Sequence, residues 1–514
     1  MILIILDVND RILENRIRHT FNQIMPYLGY LYAIKNKIDR NLISNKRYSL
    51  LIYYGNRTLS ANKKSIIQII PNNPKATDIK QKKLHYLKNK NRAVFDHDFV
   101  LESFKVLSRE EEIESKNIDK HKRFIAAKSN IFTHLKEPIV NKYAIALDKL
   151  IKILYKEGNI PLMQKCQWPE NRKFAVCLSH DVDNVKFIKS DFLSINKVAD
   201  FIKGENPYWQ FHKVIELEGK YNFKSTFFFC TGKKHSLDPN YSIKEKKIRY
   251  IIKFLINKEN EVGLHLSYLS YNNIKMIESE KRELMNLVGG KIGARTHFLR
   301  FSVPKTLVLE DKSGIYYDSS LGYSDAVGYR SGFCWPYTPY AIGYEKSLNI
   351  LELPLSVMDG TLFGESKTVD NALRSLKKLF HHVKKYNGVI VMDWHQNVFN
   401  EKYFKGWSYV YERCLDYFHR EGAFVGPARM ILDWIHKRNS VVISKAASQN
   451  IWRFRLSPKA DIGGFTLKVA YTKNSRLKIN NSEDYKITKD KDGFAVTFKK
   501  IKKGQNITID LLNT

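Results

Sequence analysis

The stretch FAVCLSHDVDNVK, Phe174–Lys186, decides how this 514-residue chain is read. Phe174 to Leu178 form an apolar run that reads as a buried strand. The run ends abruptly in His180, Asp181 and Asp183. A buried strand that delivers an imidazole and two carboxylates at its carboxyl end is holding chemistry there.

Outward from this strand, from about 172 to 437, strand-like runs alternate with amphipathic helices. STFFFC, EVGLHL, ARTHFLRF, LNILELPLSV, GVIVMDWH and AFVGP are separated by stretches such as IRYIIKFLINK, IKMIESEKRELMNLV and NALRSLKKLFHHVKKY. Repeated alternation of this kind predicts an α/β fold with a parallel sheet. The number of units predicts a barrel or near-barrel, with an open doubly wound sheet as the alternative.

The flanks differ. Residues 1–165 mix short apolar strands (MILIILDV, YSLLIYYG, SIIQIIP) with charged helical stretches, an N-terminal α/β accessory domain. Its acidic run SREEEIE, Ser108–Glu114, reads as a solvated helix face. From 440 to 514 the runs are short and several alternate apolar with polar residues, predicting a small β-sandwich-like domain. Lys491–Gly493, KDG, is its hairpin signal. Roughly three domains also fit the length, at about 150 residues each.

The chain carries 86 Lys and Arg against 52 Asp and Glu, a net charge of +34. The basic residues are spread along the length beside many Ile and Asn, so the excess reads as compositional. No nucleic-acid module is recognisable, and no specific nucleic-acid partner is expected. The five cysteines are odd in number, widely spaced and make no CxxC pair, so neither a disulfide framework nor a zinc knuckle is indicated. No apolar run reaches the length of a membrane span. The start, MILIILDVNDR, lacks the basic region of a signal peptide, so a cytoplasmic setting is expected.

In parallel α/β barrels the loops that follow the strands gather at one rim, and sites form there. The polar residues here sit at that rim strand after strand: His180, Asp181 and Asp183, then His265, then Arg295 and His297, then Asp359, then Asp393 and His395. Asp and His with an open position suit a divalent metal that brings the pKa of its water to about 7. A second carboxylate would take the water's proton, and an imidazole opposite would protonate a leaving atom. This is equipment for metal-assisted acyl hydrolysis.

SHDVD, GLHLSYLS, RTHFLRF and VMDWHQN, in this order, resemble the motifs of the polysaccharide deacetylases (carbohydrate esterase family 4). The resemblance covers about 172 to 437. More closely, the chain resembles a branch found with bacterial surface-polysaccharide genes that carries an extra N-terminal domain. KEPIVNKY, Lys136–Tyr143, matches text in that domain. The resemblance implies a distorted (β/α) barrel and removal of N-acetyl groups from amino sugars. It makes Asp181 the catalytic base, Asp183 and His265 ligands of a divalent metal such as Zn²⁺, Arg295 the group orienting the base, and His395 the general acid. Asp359 is placed by position as the partner of His395. Arg330, in GYRSGF, either binds substrate or makes a structural salt bridge. His180 reads as structural.

One departure matters. The family's second motif has two histidines four apart, but Leu269 stands four after His265. His297, where the family often has proline, is the substitute donor. Without it, the chain would be an inactive barrel serving as a carbohydrate-binding or interaction scaffold. The expected partner is a carbohydrate, nucleotide- or lipid-linked. Val185–Gly204 reads as a lid or packed helix, with peripheral membrane contact through an interfacial helix as the alternative. The oligomeric state is open.

Overall fold

The computed structural model describes residues 1–45, 47–59, 64–71, 86–95, 97–446, 451–470, 475–490 and 493–513. They form two compact units, each built from separate pieces of chain. One comprises Met1–Val106, Ile139–Arg172 and Leu432–Thr514, the other Leu107–Pro138 and Lys173–Ile431.

The second unit holds a nine-stranded sheet whose core is parallel. Leu351–Glu352, Tyr317–Asp318, Ala294–Thr296, Glu261–Leu266, Thr226–Cys230, Ala175–Val182, Val389–Asp393 and Val357–Met358 pair in that order, and Phe424–Gly426 pairs with the start of Ala175–Val182. Every residue of Ala175–Val182 is buried, as expected of a strand covered on both faces. The two edges of the sheet belong to one stretch of chain. Leu351 and Glu352 pair with Tyr317 and Asp318, and a few residues on Val357 and Met358 pair with Met392 and Asp393. One extended segment thus changes partners, and the sheet curls.

Helices connect the strands and cover them. Lys246–Asn257 buries Ile248, Ile251, Ile252 and Leu255, the stripe that a 3.6-residue period places on one face. Gly293, just before the Arg295 strand, permits a close approach: a Cβ there would lie 2.0 Å from the Tyr317 ring.

The Leu107–Pro138 piece corrects one expectation. The run Ser108–Glu114 is no solvated helix face but a short 3₁₀ turn, Glu110–Glu112. The Glu112 carboxylate is buried there, accepting from Arg109 Nε at 2.7 Å and Arg330 Nε at 2.9 Å. Two guanidiniums claim it, so it cannot face water.

In the first unit, Tyr32–Asn36, Ile2–Leu6, Leu50–Tyr54, Ser65–Ile69 and Arg92–Phe95 form a parallel sheet, edged by antiparallel Tyr86–Asn89. The helix Arg11–Leu28 is capped by Asp10, which accepts from Ile12 N, and ends at Gly29 with φ +81°. Residues after 440 contribute to two four-stranded antiparallel sheets, one of which takes in Leu162–Lys165 beside Ile462–Ala470. Tyr485–Asp490 and Gly493–Ile501 pair as a hairpin, while Lys491 and Asp492 of the expected turn lie outside the described residues.

Candidate active site

The parallel sheet collects its polar residues at one end. Side chains alternate along a strand, so Asp181 and Asp183 project to one side and His180 to the other. His180 is fully buried, with Nε2 at 2.9 Å from Glu218 and its ring 4.6 Å from Phe227. It braces the strand against the helix Phe211–Gly219. On adjacent strands His265 is in register with Arg295.

Asp183, His265 and His297 bring three donor atoms together. His265 Nε2 is 3.2 Å and His297 Nδ1 3.3 Å from Asp183 Oδ1, and the two nitrogens are 3.0 Å apart. His297 is not a strand residue as expected: the strand stops at Thr296, and His297 opens a tight turn in which Phe298 and Leu299 take φ of +62° and +51°. Each ring's remote nitrogen faces a carbonyl, His265 Nδ1 toward Arg295 O at 3.0 Å and His297 Nε2 toward Leu237 O at 2.8 Å. A carbonyl only accepts, so those nitrogens carry the protons and the facing pair present lone pairs. Asp183 Oδ1 is buried, and against the cost of burial His297, His265 and His395 hold the carboxyl well below its usual value.

Three donor atoms thus converge. Their separations match the edge of a tetrahedron around an ion bound at about 2.0–2.1 Å, roughly 3.3 Å. The residues present therefore fit a divalent metal. Leu269 and its neighbours take no part: Leu269 is 36% exposed, and the Ser267 and Ser270 hydroxyls donate to Glu280 at 2.5 and 2.6 Å.

Two further groups flank this cluster. Asp181 Oδ2 stands 3.8 Å from His265 Nε2. Its other oxygen accepts from Arg295 Nη1 at 2.9 Å, and Arg295 is fixed by Ser179 Oγ, Ser319 O and Ser319 Oγ. Burial alone would raise the Asp181 carboxyl, but Arg295, then His265 and His395, hold it below its usual value. On the other side His395 Nε2 is 3.4 Å from Asp183 Oδ2. Buried Asp359 takes His395 Nδ1–H at 2.9 Å and His395 N–H at 2.7 Å, which fixes both ring and tautomer. Burial opposes protonation of His395, yet Asp359 and Asp393 raise its pKa well above the ordinary value.

Asp393, at the rim two before His395 in MDWH, has no role in the sequence reading and gains one here. It is fully buried, 3.3 Å from Arg295, and accepts from Asp181 N at 3.0 Å. Burial, and then the Asp181 carboxylate, push its carboxyl up to about 8. Arg330 stands apart from this group. Glu112 accepts from its Nε and Nη2, and the Gly322 carbonyl accepts from Nη1 at 3.0 Å.

The profile of a protein family described as "Family of unknown function (DUF7033)" matches residues 5–156. No curated protein matches the chain. Among solved structures, the chain is similar to a protein assigned as a polysaccharide deacetylase from Mycobacterium smegmatis, at 16% identity and a TM-score of 0.38 over 55% of this chain and 97% of that one. It is similar also to Puue allantoinase, at 13% and 0.38 over 52% and 91%. A third is the polysaccharide deacetylase Bc1974 from Bacillus cereus, at 12% and 0.28 over 49% and 91%.

Proposed function

We propose that this chain is a metal-dependent, deacetylase-like hydrolase that removes an N-acetyl or related acyl group from an amino sugar of a cell-surface glycan or its precursor. One observation carries the reading: three lone-pair donors converge between a carboxylate oriented by arginine and an imidazole oriented by aspartate.

Asp183, His265 and His297 would hold the metal, which would supply positive charge to polarise the acyl carbonyl and acidify water. Asp181, ionised at neutral pH because Arg295 stabilises its charge, takes the proton of the attacking water. His395, kept protonated by Asp359, donates the Nε2 proton to the departing amine. Asp359 keeps Nδ1–H directed inward, so Nε2 is always the nitrogen that faces the reaction. Asp393, whose carboxyl is pushed up to about 8 by burial and the Asp181 carboxylate, contacts Arg295 and the Asp181 amide and so backs the base. The unit made of Met1–Val106, Ile139–Arg172 and Leu432–Thr514 acts as an accessory domain that narrows the substrate range.

The test is acetate release from a panel of nucleotide- and lipid-linked acetamido sugars, with the protein loaded with zinc. Release that is lost in Asp183→Ala supports the reading. Silence across the panel together with absence of metal binding overturns it.

A further inference from the structure

The chain that leaves Asp183 has its polarity inside out. Between Ile188 and Ile202 six large apolar side chains stand in solvent: Ile188 at 41% exposure, Phe192 at 48%, Leu193 and Ile195 at 89%, Phe201 at 53% and Ile202 at 78%. In the same stretch the two carboxylates, Asp191 and Asp200, are buried at 3% each. Soluble surfaces rarely carry contiguous apolar area of this kind without a use for it.

The segment is held in this arrangement. Asp191 accepts from Ile188 N at 2.8 Å, Lys197 Nζ at 2.5 Å and Tyr208 OH at 2.6 Å. Asp200 accepts from Lys402 and Tyr403. Phe187 packs against Phe192, Phe201 and Tyr208 with ring centroids 5.4–6.3 Å apart. The polar anchors point inward and fix the apolar tips outward, the reverse of a lid that closes on its own core.

Charge names the occupant. Exposed Lys186 and Lys203 border the apolar tips. The next loop is tied to this one through Asn240, which bonds Lys186 O at 2.7 Å and Val185 N at 3.1 Å, and it adds exposed Lys233 and Lys234. Apolar tips flanked by lysines, with Lys186 paired to Glu245 and exposed Glu205 close after Lys203, in a chain of net charge +34, match an anionic bilayer surface. We propose that this face docks on anionic lipid, with Leu193, Ile195 and Ile202 entering the boundary between headgroups and acyl chains. The docking stands without the hydrolase reading. Where it rests on that reading, it names the substrate class, because the segment follows Asp183 at the same end of the sheet as the cluster: a glycan carried on lipid.

The experiment is co-sedimentation of the full chain with vesicles of about three parts phosphatidylcholine to one of phosphatidylglycerol, and with phosphatidylcholine alone. Wild type should partition about tenfold more strongly onto the anionic vesicles, and less so as salt rises. Leu193→Glu/Ile195→Glu should lose about tenfold or more of that binding at an unchanged thermal midpoint, since both side chains already face water. Absence of wild-type binding, or equal binding by the double variant, overturns the proposal. So does a wild-type dimer in light scattering that the double variant dissolves without vesicle binding, which assigns the face to a second copy. None of these readouts depends on acyl release, so failure of docking and failure of the hydrolase reading are told apart.

Discussion

His265 Nε2 stands 3.0 Å from His297 Nδ1, and the remote nitrogen of each ring faces a backbone carbonyl. The carbonyls of Arg295 and Leu237 hold the protons on the far sides of both rings. Asp183 Oδ1 completes the triangle, a set of donors that a bound cation would hold together. Without metal, a proton is the substitute: burial opposes it, but Asp183 raises the pKa of His297 above its ordinary value.

Metal uptake should therefore release a proton. One zinc per chain is expected, with affinity falling as pH drops through the raised pKa of His297, because proton and metal then compete for one lone pair. Titration calorimetry in two buffers of different ionisation enthalpy reads the proton directly. His297→Ala should weaken binding by at least about 10–100-fold, the cost seen even for lost supporting contacts. Undiminished occupancy in that variant would remove His297 from the site.

Asp181 and His395 border the cluster without belonging to its donor triangle. Asp181→Asn and His395→Ala should each lower acetate release by about 10²–10⁴-fold while metal content stays at wild type. The His395 variant should lose more on substrates with poorer leaving groups, since protonation of the amine is its task. Two variants as fast as wild type would refute the assignment of base and acid.

Asp359 acts through His395, so its signature is a pH profile. Its carboxylate raises the imidazole pKa, and Asp359→Asn takes that support away. The acid form of His395 should then be lost at lower pH, moving the alkaline limb of kcat downward. A smaller kcat with the limb unmoved would mean a purely structural contact.

Much of this was legible in the order of the residues because the curled sheet is made of local units. A buried apolar strand ending in charge, repeated with helices between, places those charges on one rim whatever the details of the crossovers. Register followed less directly. His297 sits beyond its strand because Phe298 and Leu299 adopt positive φ, which neither residue type announces. Leu107–Pro138 looked like more of the N-terminal region, since nothing local distinguishes it. Its place in the second unit rests on contacts distant in sequence, among them Glu112 with Arg330, more than two hundred positions away. Isolated charges in a sequence look solvated until their partner is known.

That pair supplies the last test, which separates the two roles open to Arg330. Arg330 and Glu112 are both buried, and Arg109 shares the same carboxylate. Arg330→Met would leave Glu112 with Arg109 alone in a water-excluded setting, and loss of one partner of a buried pair costs about 3–5 kcal/mol. The lower end is expected, because Arg109 stays. Glu112→Gln/Arg330→Met should recover part of the loss, as no uncompensated carboxylate is left behind. The pH dependence has a definite sign. Burial would raise the Glu112 carboxyl, but Arg330 and Arg109 hold it below its ordinary value. Its stabilisation is thus present above about pH 4.3 and is lost as pH falls through the depressed folded value. Denaturant melts of wild type and the single variant should converge in acid. An unchanged melt with a tenfold rise in KM would instead return Arg330 to the substrate.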